Sequence, residues 1–327
     1  MHTTLTNLIQ KEISLDASHI TRGSRSHNYI RNLLKGKSEE DALFPRFIEG
    51  DFLSGSYSRE TKNHPLDDID IMMVIDGNGL HVIQNGIILD AEVRSSNNQD
   101  NPMLKHLGIN RLLGSKKVVS LFASALKYSY PSSKVSKDGQ AINVWLESYK
   151  MGIDIVPCFH IIPRDGSQDF YYIPEGKDSD GWIKTNPNLD KDTSDYFVLK
   201  LGDNFKNFVR LIKFWNEKKN NGRLRSYHLE TIIWYVMGNY NQTITNYEHA
   251  VSYFFNNCYS FLSSECPDAT KIGGPIDKYL SPADRLMTLQ KITETQKSIN
   301  SANLMRLINN KNSQIDAWGK AFNFRLV

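Results

Sequence analysis

The sequence predicts an α+β protein of two lobes, a mixed sheet lobe with an N-terminal helix over residues 1–193 and a helical lobe over residues 194–327. Three observations lead there. The first half carries short β-branched runs whose polarity alternates or that end in turn residues. From about Ser194 onward nearly every long segment has apolar residues at helical spacing. Between the two, Pro163 to Thr193 is rich in Pro, Gly and Asp and reads as a long connection. A mixed half followed by a helical half argues for two lobes with a cleft, the usual place for a ligand.

The elements follow in order. Asn28 to Leu34 is short and helical in character, and the GKSEED that follows reads as a loop. Ile69 to Ile75 (IDIMMVI) is a strand closed by the turn signal DGNG. Ser115 to Tyr130 places Val118, Val119, Phe122, Ala125 and Leu126 on one helical face and stops at Pro131. Ile142, Val144 and Leu146 alternate with polar neighbours, as a half-buried strand requires. Ile153 to Ile162 (IDIVPCFHII) reads as strand broken at Pro157. In the helical half, Phe205, Phe208, Val209, Ile212 and Trp215 form one stripe, and Leu229, Ile232, Ile233, Val236 and Met237 another. Further helices are expected over Tyr247–Leu262 and Pro282–Ile308.

Composition excludes several classes. Lys+Arg 39 against Asp+Glu 36 leaves a net charge of +3 on 327 residues, too slight for a protein that coats long nucleic acid. Hydrophobic residues at 40% and aromatics at 11% fit an ordinary globular chain rather than a disordered or fibrous one. No apolar run approaches the roughly 20 residues of a membrane span, and the start MHTTLTNLIQKEISLD lacks the features of a signal peptide. Cys158, Cys258 and Cys266 are odd in number and carry no CxxC spacing, which fits a reducing, cytoplasmic setting. Cys158 follows a strand-like run and reads as a small core residue rather than a nucleophile.

Chemistry concentrates in Gly55-Ser56 and, after a spacer of eleven residues, Asp68-Ile69-Asp70. Asp68 and Asp70 stand two apart on a strand, so both side chains leave the same face. Adjacent carboxylates repel unless a cation lies between them, and hard oxygen ligands suit Mg²⁺, which takes its remaining ligands from water and substrate phosphates. Asp154 interrupts the later run GIDIVP in the same manner. If the two strands are neighbours, three acids converge as two-metal phosphoryl transfer requires. Gly55 permits close backbone approach to a phosphate, and Ser56 adds an N–H and a hydroxyl. The loop is not of the Walker type, because no G-K-[ST] is present. Each feature alone reads as an ordinary turn or solvated edge; the order of the three carries the functional reading. Asp67 cannot share the face of Asp68 and Asp70 and is expected to point away.

Gly55-Ser56, the spacer, Asp68-Ile69-Asp70 and the distant Asp154 resemble the nucleotidyltransferase superfamily with the polymerase-β-like fold. Within it the chain is similar to the bacterial cyclic oligonucleotide synthases, the CD-NTase family, relatives of cyclic GMP-AMP synthase. Lys213-Phe214-Trp215 and Ser226-Tyr227-His228-Leu229-Glu230 look like that family's helix lysine followed by a Ser-Tyr that opens the next helix. The resemblance spans roughly Ser54 to Tyr240.

The resemblance implies roles. Asp68, Asp70 and Asp154 would hold Mg²⁺ (or Mn²⁺), with Asp154 helping to deprotonate an acceptor hydroxyl. Gly55 and Ser56 would meet the donor triphosphate, Lys213 and Ser226 would hold its outer phosphates, and Tyr227 would stack on its base, an interaction of about 1–3 kcal/mol. Read from the residues alone, Lys213 is equally a solvated lysine at the edge of its stripe. Ser226 is equally an N-cap, and Tyr227 an amphipathic residue at the core edge. Arg59 and Lys62 in the spacer read as solvated or as steering phosphate. Trp182, in KDSDGWIKTNP, lines an acceptor pocket or anchors a loop.

The resemblance further implies a template-independent enzyme that joins nucleoside triphosphates, ATP and a second one, into a short cyclic messenger of antiphage signalling, with release of pyrophosphate. The alternatives are an RNA-modifying relative of the CCA-adding or poly(A) kind, and a catalytically silent nucleotide-binding protein. Nothing matches the zinc-binding insertion of the DNA-sensing animal members, so no long nucleic acid is expected as partner, and no membrane. The ending Phe324-Arg325-Leu326-Val327 differs from the small terminal residue of members conjugated by a ligase, so that regulation is not expected.

Overall fold

The computed structural model describes residues 4–48, 50–84, 87–88, 90–96, 100–176 and 179–325. Its strands are β1 (Phe52–Ser54), β2 (Asp68–Val74), β3 (Ile83–Gln84), β4 (Ile87–Ile88), β5 (Ala91–Val93), β6 (Lys134–Asp138), β7 (Ala141–Leu146), β8 (Met151–Pro163), β9 (Phe170–Pro174) and β10 (Trp182–Thr185). The helices are α1 (Thr4–Leu8), α2 (Ala17–Glu40), α3 (Gly55–Ser58), α4 (Ser115–Ser129), α5 (Pro187–Leu201), α6 (Asn204–Lys218), α7 (Ser226–Met237), α8 (Tyr247–Asn257), α9 (Tyr259–Ser263), α10 (Pro282–Leu307) and α11 (Lys311–Phe322). Among the described residues, no helix is long and apolar enough to cross a membrane.

These elements form two compact units, and a single cut near residue 193 does not separate them. One unit holds residues 16–58 and 66–188; the other holds 4–15, 59–65 and 189–325. The N-terminal helix belongs with the helical unit, because Leu5, Leu8, Ile9 and Ile13 bury into the cluster of Phe205, Phe208, Trp215, Ile232, Phe254 and Trp318. Those four apolar side chains remove far more surface from water there than polar neighbours could offset.

In the sheet unit the order is β1-β2-β8-β7-β6, with β5 and β9 on the second half of β8 and β10 on β9. β2 and β8 are parallel, and the other pairs of this sheet are antiparallel. Strand β8 passes through Pro157 unbroken, contrary to expectation. Gly152 N–H donates to Asp67 O and Cys158 O accepts from Ile75 N–H, so the polar groups of even-numbered residues point towards β2. The missing N–H of Pro157 therefore faces the opposite edge. There β7 has ended opposite Ile155 and β9 begins only opposite Phe159, so no ladder bond is lost.

Helix α2 is also longer than expected and absorbs GKSEED up to Glu40, with Asp41 as its C-cap. Asp16 caps it by accepting from His19 N–H at 2.9 Å. Its buried stripe is Gly23, His27, Ile30, Leu34 and Ser38, mostly small or polar, so apolar periodicity reveals only its middle. A side chain at Gly23 would meet Ile69 Cδ1 and Leu66 Cδ2 at 2.9 Å, so this helix lies close on the sheet. The stretch 163–193 is not one connection: it holds β9, β10 and the start of α5. The expected helix over Tyr247–Leu262 divides at Cys258 into α8 and α9. Cys158 is fully buried, and burial pushes its thiol up, as a core residue requires.

Candidate active site

The face of the sheet that carries Ile69, Ile71, Ile153 and Ile155 is buried and covered by α2 and α4. The opposite face carries the acids. Asp70 pairs in register with Asp154 across the parallel β2–β8 ladder, and Asp68 precedes Asp70 by two on the same strand. Neighbours in register project to one side, so all three carboxylates share a face. All three are half-buried. Met72, Val74, Val156 and Cys158 continue that face as an apolar cluster with Ile48, Tyr171 and Ile173. The sheet thus changes from polar to apolar along one pair of strands.

Two residues outside the sequence-level set shape the acid face. Asn143 lies opposite Asp154 on β7, and its Nδ2 donates to Asp154 Oδ1 at 2.7 Å, which orients the carboxylate. Gly152 leaves space for it, since a side chain there would approach Asn143 Nδ2 to 2.7 Å. Sequence pattern gives Asn143 only as the polar partner in an alternating strand, which is why it escapes notice.

Gly55 follows β1 directly and has φ +65, a left-handed conformation. A Cβ at this position would come within 1.9 Å of Asp70 Oδ2. No residue but glycine fits beside that carboxylate, so the turn from β1 into α3 runs immediately past the acids. Ser56 follows on α3 and is half-buried. Asp67 is exposed, and its carbonyl accepts the Gly152 N–H at 2.7 Å.

Trp182 is not in a loop. It lies on β10, donates from Nε1 to Leu113 O at 2.8 Å and meets Phe159 edge-on with ring centroids 5.2 Å apart, so it anchors the strand. Lys177 and Asp178 of the same stretch lie outside the described residues, as do Leu326 and Val327 at the other end.

Lys213, Ser226 and Tyr227 belong to the helical unit. Lys213 is not solvated: its side chain is 10% exposed, and Nζ lies 2.5 Å from Glu230 Oε1 and 3.3 Å from Thr61 Oγ1. Helix α6 is buried well beyond its predicted stripe, at Leu211 and Phe214 as well. Ser226 is not an N-cap. Arg225 holds that position, and Ser226 is the exposed first residue of α7.

Tyr227 is half-buried. Its hydroxyl donates to Asp268 Oδ1 at 2.5 Å, and its ring meets Trp234 edge-on. Asp268 also accepts from Thr270 N–H, Thr270 Oγ1 and Gly273 N–H. Burial, reinforced by the neighbouring Asp190 and Asp268, pushes the Tyr227 phenol well above its ordinary range. Burial likewise pushes Asp190 up, to about 6, against the opposing pull of Arg59.

Arg59 is the residue whose solvated reading fails most clearly. It is 6% exposed, and its Nε donates to Glu230 Oε2 at 2.8 Å. The spacer segment 59–65 is held to the helical unit by further bonds: Lys206 to Glu60 at 2.8 Å, Asn63 Nδ2 to Arg210 O at 3.1 Å, and His64 N–H to Ile13 O at 2.9 Å. Glu230 was visible in the sequence as a charged residue inside the apolar run HLETIIWYV, but its two cationic partners lie far away along the chain.

No family profile matches the chain. A curated protein of Bacillus cereus (strain VD146), described as a probable cyclic nucleotide synthase, is 27% identical over 231 residues, covering 69% of this chain and 68% of that one. Among solved structures, CdnC of E. coli MS115-1 in complex with HORMA-deltaN is similar with a TM-score of 0.70 at 16% identity, over 100% of this chain and 98% of the other. The Vibrio cholerae DncV cyclic AMP-GMP synthase with the linear intermediate 5′ pppA(3′,5′)pG is similar with a TM-score of 0.69 at 14% identity, over 100% and 95%. This chain shares the α+β fold of these structures, and it shares sequence with the Bacillus protein across two thirds of that protein's length. Gly55-Ser56 turned past Asp70, and Asp70 in register with Asp154, accompany this similarity to a probable cyclic nucleotide synthase.

Proposed function

We propose that this protein is a divalent-metal-dependent, template-independent nucleotidyltransferase that joins nucleoside triphosphates into a short cyclic oligonucleotide messenger and releases pyrophosphate. The observation that carries the reading is the shared face of Asp68, Asp70 and Asp154, with Gly55 held against Asp70. Three hard oxygen donors, one of them oriented by Asn143, fit Mg²⁺ or Mn²⁺. Bound there, the ions would neutralise triphosphate charge and make an acceptor hydroxyl easier to deprotonate.

The chain's own groups do the rest. Asp154 lies where a carboxylate can accept the hydroxyl proton. Gly55 lets the backbone approach the donor phosphates, and Ser56 offers them its hydroxyl. Lys213 and Ser226 hold the outer phosphates, and Tyr227, tied at its hydroxyl by Asp268, offers a fixed ring face to the base. Solved relatives support the choice of substrate: one structure is of the E. coli protein with ATP, and another is of a Vibrio cholerae variant with ATP and GTP. ATP plus a second nucleoside triphosphate is therefore the proposed substrate pair, and antiphage signalling in the cytoplasm the proposed setting.

Incubation with labelled ATP, GTP, CTP and UTP and Mg²⁺ tests this. The expected result is a phosphatase-resistant product together with pyrophosphate. Folded protein that yields none across several metals and pH values overturns the reading. Elongation of a supplied RNA instead points to a polymer-modifying enzyme.

A further inference from the structure

Glu230 stands at the centre of a buried charge cluster within the helical unit. One carboxylate oxygen accepts from Arg59 Nε at 2.8 Å; the other lies 2.5 Å from Lys213 Nζ and accepts from Thr61 Oγ1 at 3.2 Å. Glu230 is 1% exposed, Thr61 0% and Arg59 6%. Burying such ions costs desolvation that well-packed apolar residues of like size would avoid, so the cluster is poorly explained by stability alone. Arg59 and Lys213 share this one carboxylate, and Asp190 lies near Arg59 and Glu230. A largely buried lysine seated by a carboxylate and a hydroxyl keeps its charge inside the chain, as recognition of an anionic ligand requires.

We infer that Glu230 is a positioning residue for the donor triphosphate: it aims Lys213 and, through Arg59, fixes the segment that begins three residues after Ser56. The inference rests on the nucleotidyltransferase reading. A lysine on a four-carbon stem is a mobile point charge. The Glu230 carboxylate and the Thr61 hydroxyl give it a fixed seat before the nucleotide arrives, which lowers the ordering cost of binding.

Lys213 faces Glu230, Arg59 and Lys62, and Asp190 lies near Arg59 and Glu230. Burial lowers the Lys213 pKa while Glu230 works to raise it. Burial would raise Glu230, yet Lys213 and Arg59 hold it down, at about 2, so it is ionised throughout the working range. Removing the carboxylate therefore takes away the charge that raises the Lys213 pKa, and the lysine loses its proton at a lower pH.

The experiment compares the full-length chain with Glu230→Gln, Lys213→Met and the double variant. ATP binding with Mg²⁺ is measured by calorimetry, and KM and kcat for ATP across the neutral to alkaline range. Glu230→Gln is expected to weaken ATP binding at least tenfold, to raise KM more than it lowers kcat, and to move the alkaline limb of kcat/KM down by about one pH unit or more. The double variant is expected to lose less ATP affinity relative to Lys213→Met than Glu230→Gln loses relative to wild type. One of the two routes through which Glu230 acts is the lysine.

A folded Glu230→Gln chain with wild-type ATP affinity and an unmoved alkaline limb overturns the inference. If Glu230→Gln does not fold, Glu230→Asp keeps the charge on a shorter stem. It is expected to raise KM severalfold with the alkaline limb in place, and an unchanged KM overturns the inference. A wild-type chain that binds ATP but forms no product overturns the synthase reading, while the binding comparison still decides the role of Glu230. A wild-type chain that does not bind ATP overturns both.

Discussion

In the sheet unit, Asp68, Asp70 and Asp154 stand together on one half-buried face, like charge beside like charge on paired strands. In the helical unit, Glu230 is buried with Arg59 and Lys213, opposite charges within hydrogen-bond distance. The two arrangements answer different demands. Grouped carboxylates repel and weaken the fold until something cationic joins them, so their presence points outward, to a ligand. A buried pair satisfies its charge inside the chain, and taking away one member leaves the other stranded. The first arrangement suits a ligand and the second suits structure.

The largest effect should come from the acid face. Asp68→Asn with Asp70→Asn is expected to lower product formation by at least about 10⁴-fold, some 5 kcal/mol of barrier. Thermal unfolding should show a Tm unchanged or raised. A large loss of Tm would mean that these acids are structural, and the contrast would fail.

The opposite pattern belongs to Glu230→Ala. Urea unfolding should show a loss of about 3–5 kcal/mol, the usual result of breaking a buried ion pair. The carboxylate's depressed pKa sets the pH dependence. Its contribution is present above the ordinary glutamate range and disappears as pH falls towards about 2. The difference in stability between wild type and variant should therefore shrink on acidification, and a constant difference would sever it from this charge.

Asp190 should give the smallest change. Its pKa is raised, to about 6, by burial, so the folded state favours the protonated acid. Stability linked to it is full below the ordinary aspartate range and falls as pH rises through about 6. Asp190→Asn is expected to stabilise the chain above that pH by on the order of 2 kcal/mol and to do little in acid. Urea titrations at two pH values measure this; equal effects at both would show that Asp190 is not held neutral.

What the sequence reveals divides along the same contrast. The acid face is written locally: Asp-Ile-Asp on an alternating strand states its own face, and Gly55-Ser56 lies a short spacer away. The register of Asp70 with Asp154 is a long-range fact, but both strands declare themselves by β-branched runs. The buried cluster is not written locally at all. Lys213 lies at the edge of its own stripe, and only packing around the rest of α6 encloses it. Arg59 and Glu230 are 171 positions apart, and neither carries a mark of the other. Polar or small stripes hide structure too, as Gly23, His27 and Ser38 do in α2. Strand β8 hides for another reason, since its Pro157 is harmless only because of where β7 and β9 end.

The excursion of residues 59–65 into the helical unit has a consequence for how the chain matures. The helical unit is assembled from three separate pieces of sequence, whereas the sheet unit is complete once residue 188 exists. During synthesis Leu5, Leu8, Ile9 and Ile13 emerge well before their partners Phe205, Phe208, Ile232 and Trp318. The sheet unit can close early, as domains made first tend to do. The segment of Leu5 to Ile13 gains its apolar partners only after residue 188.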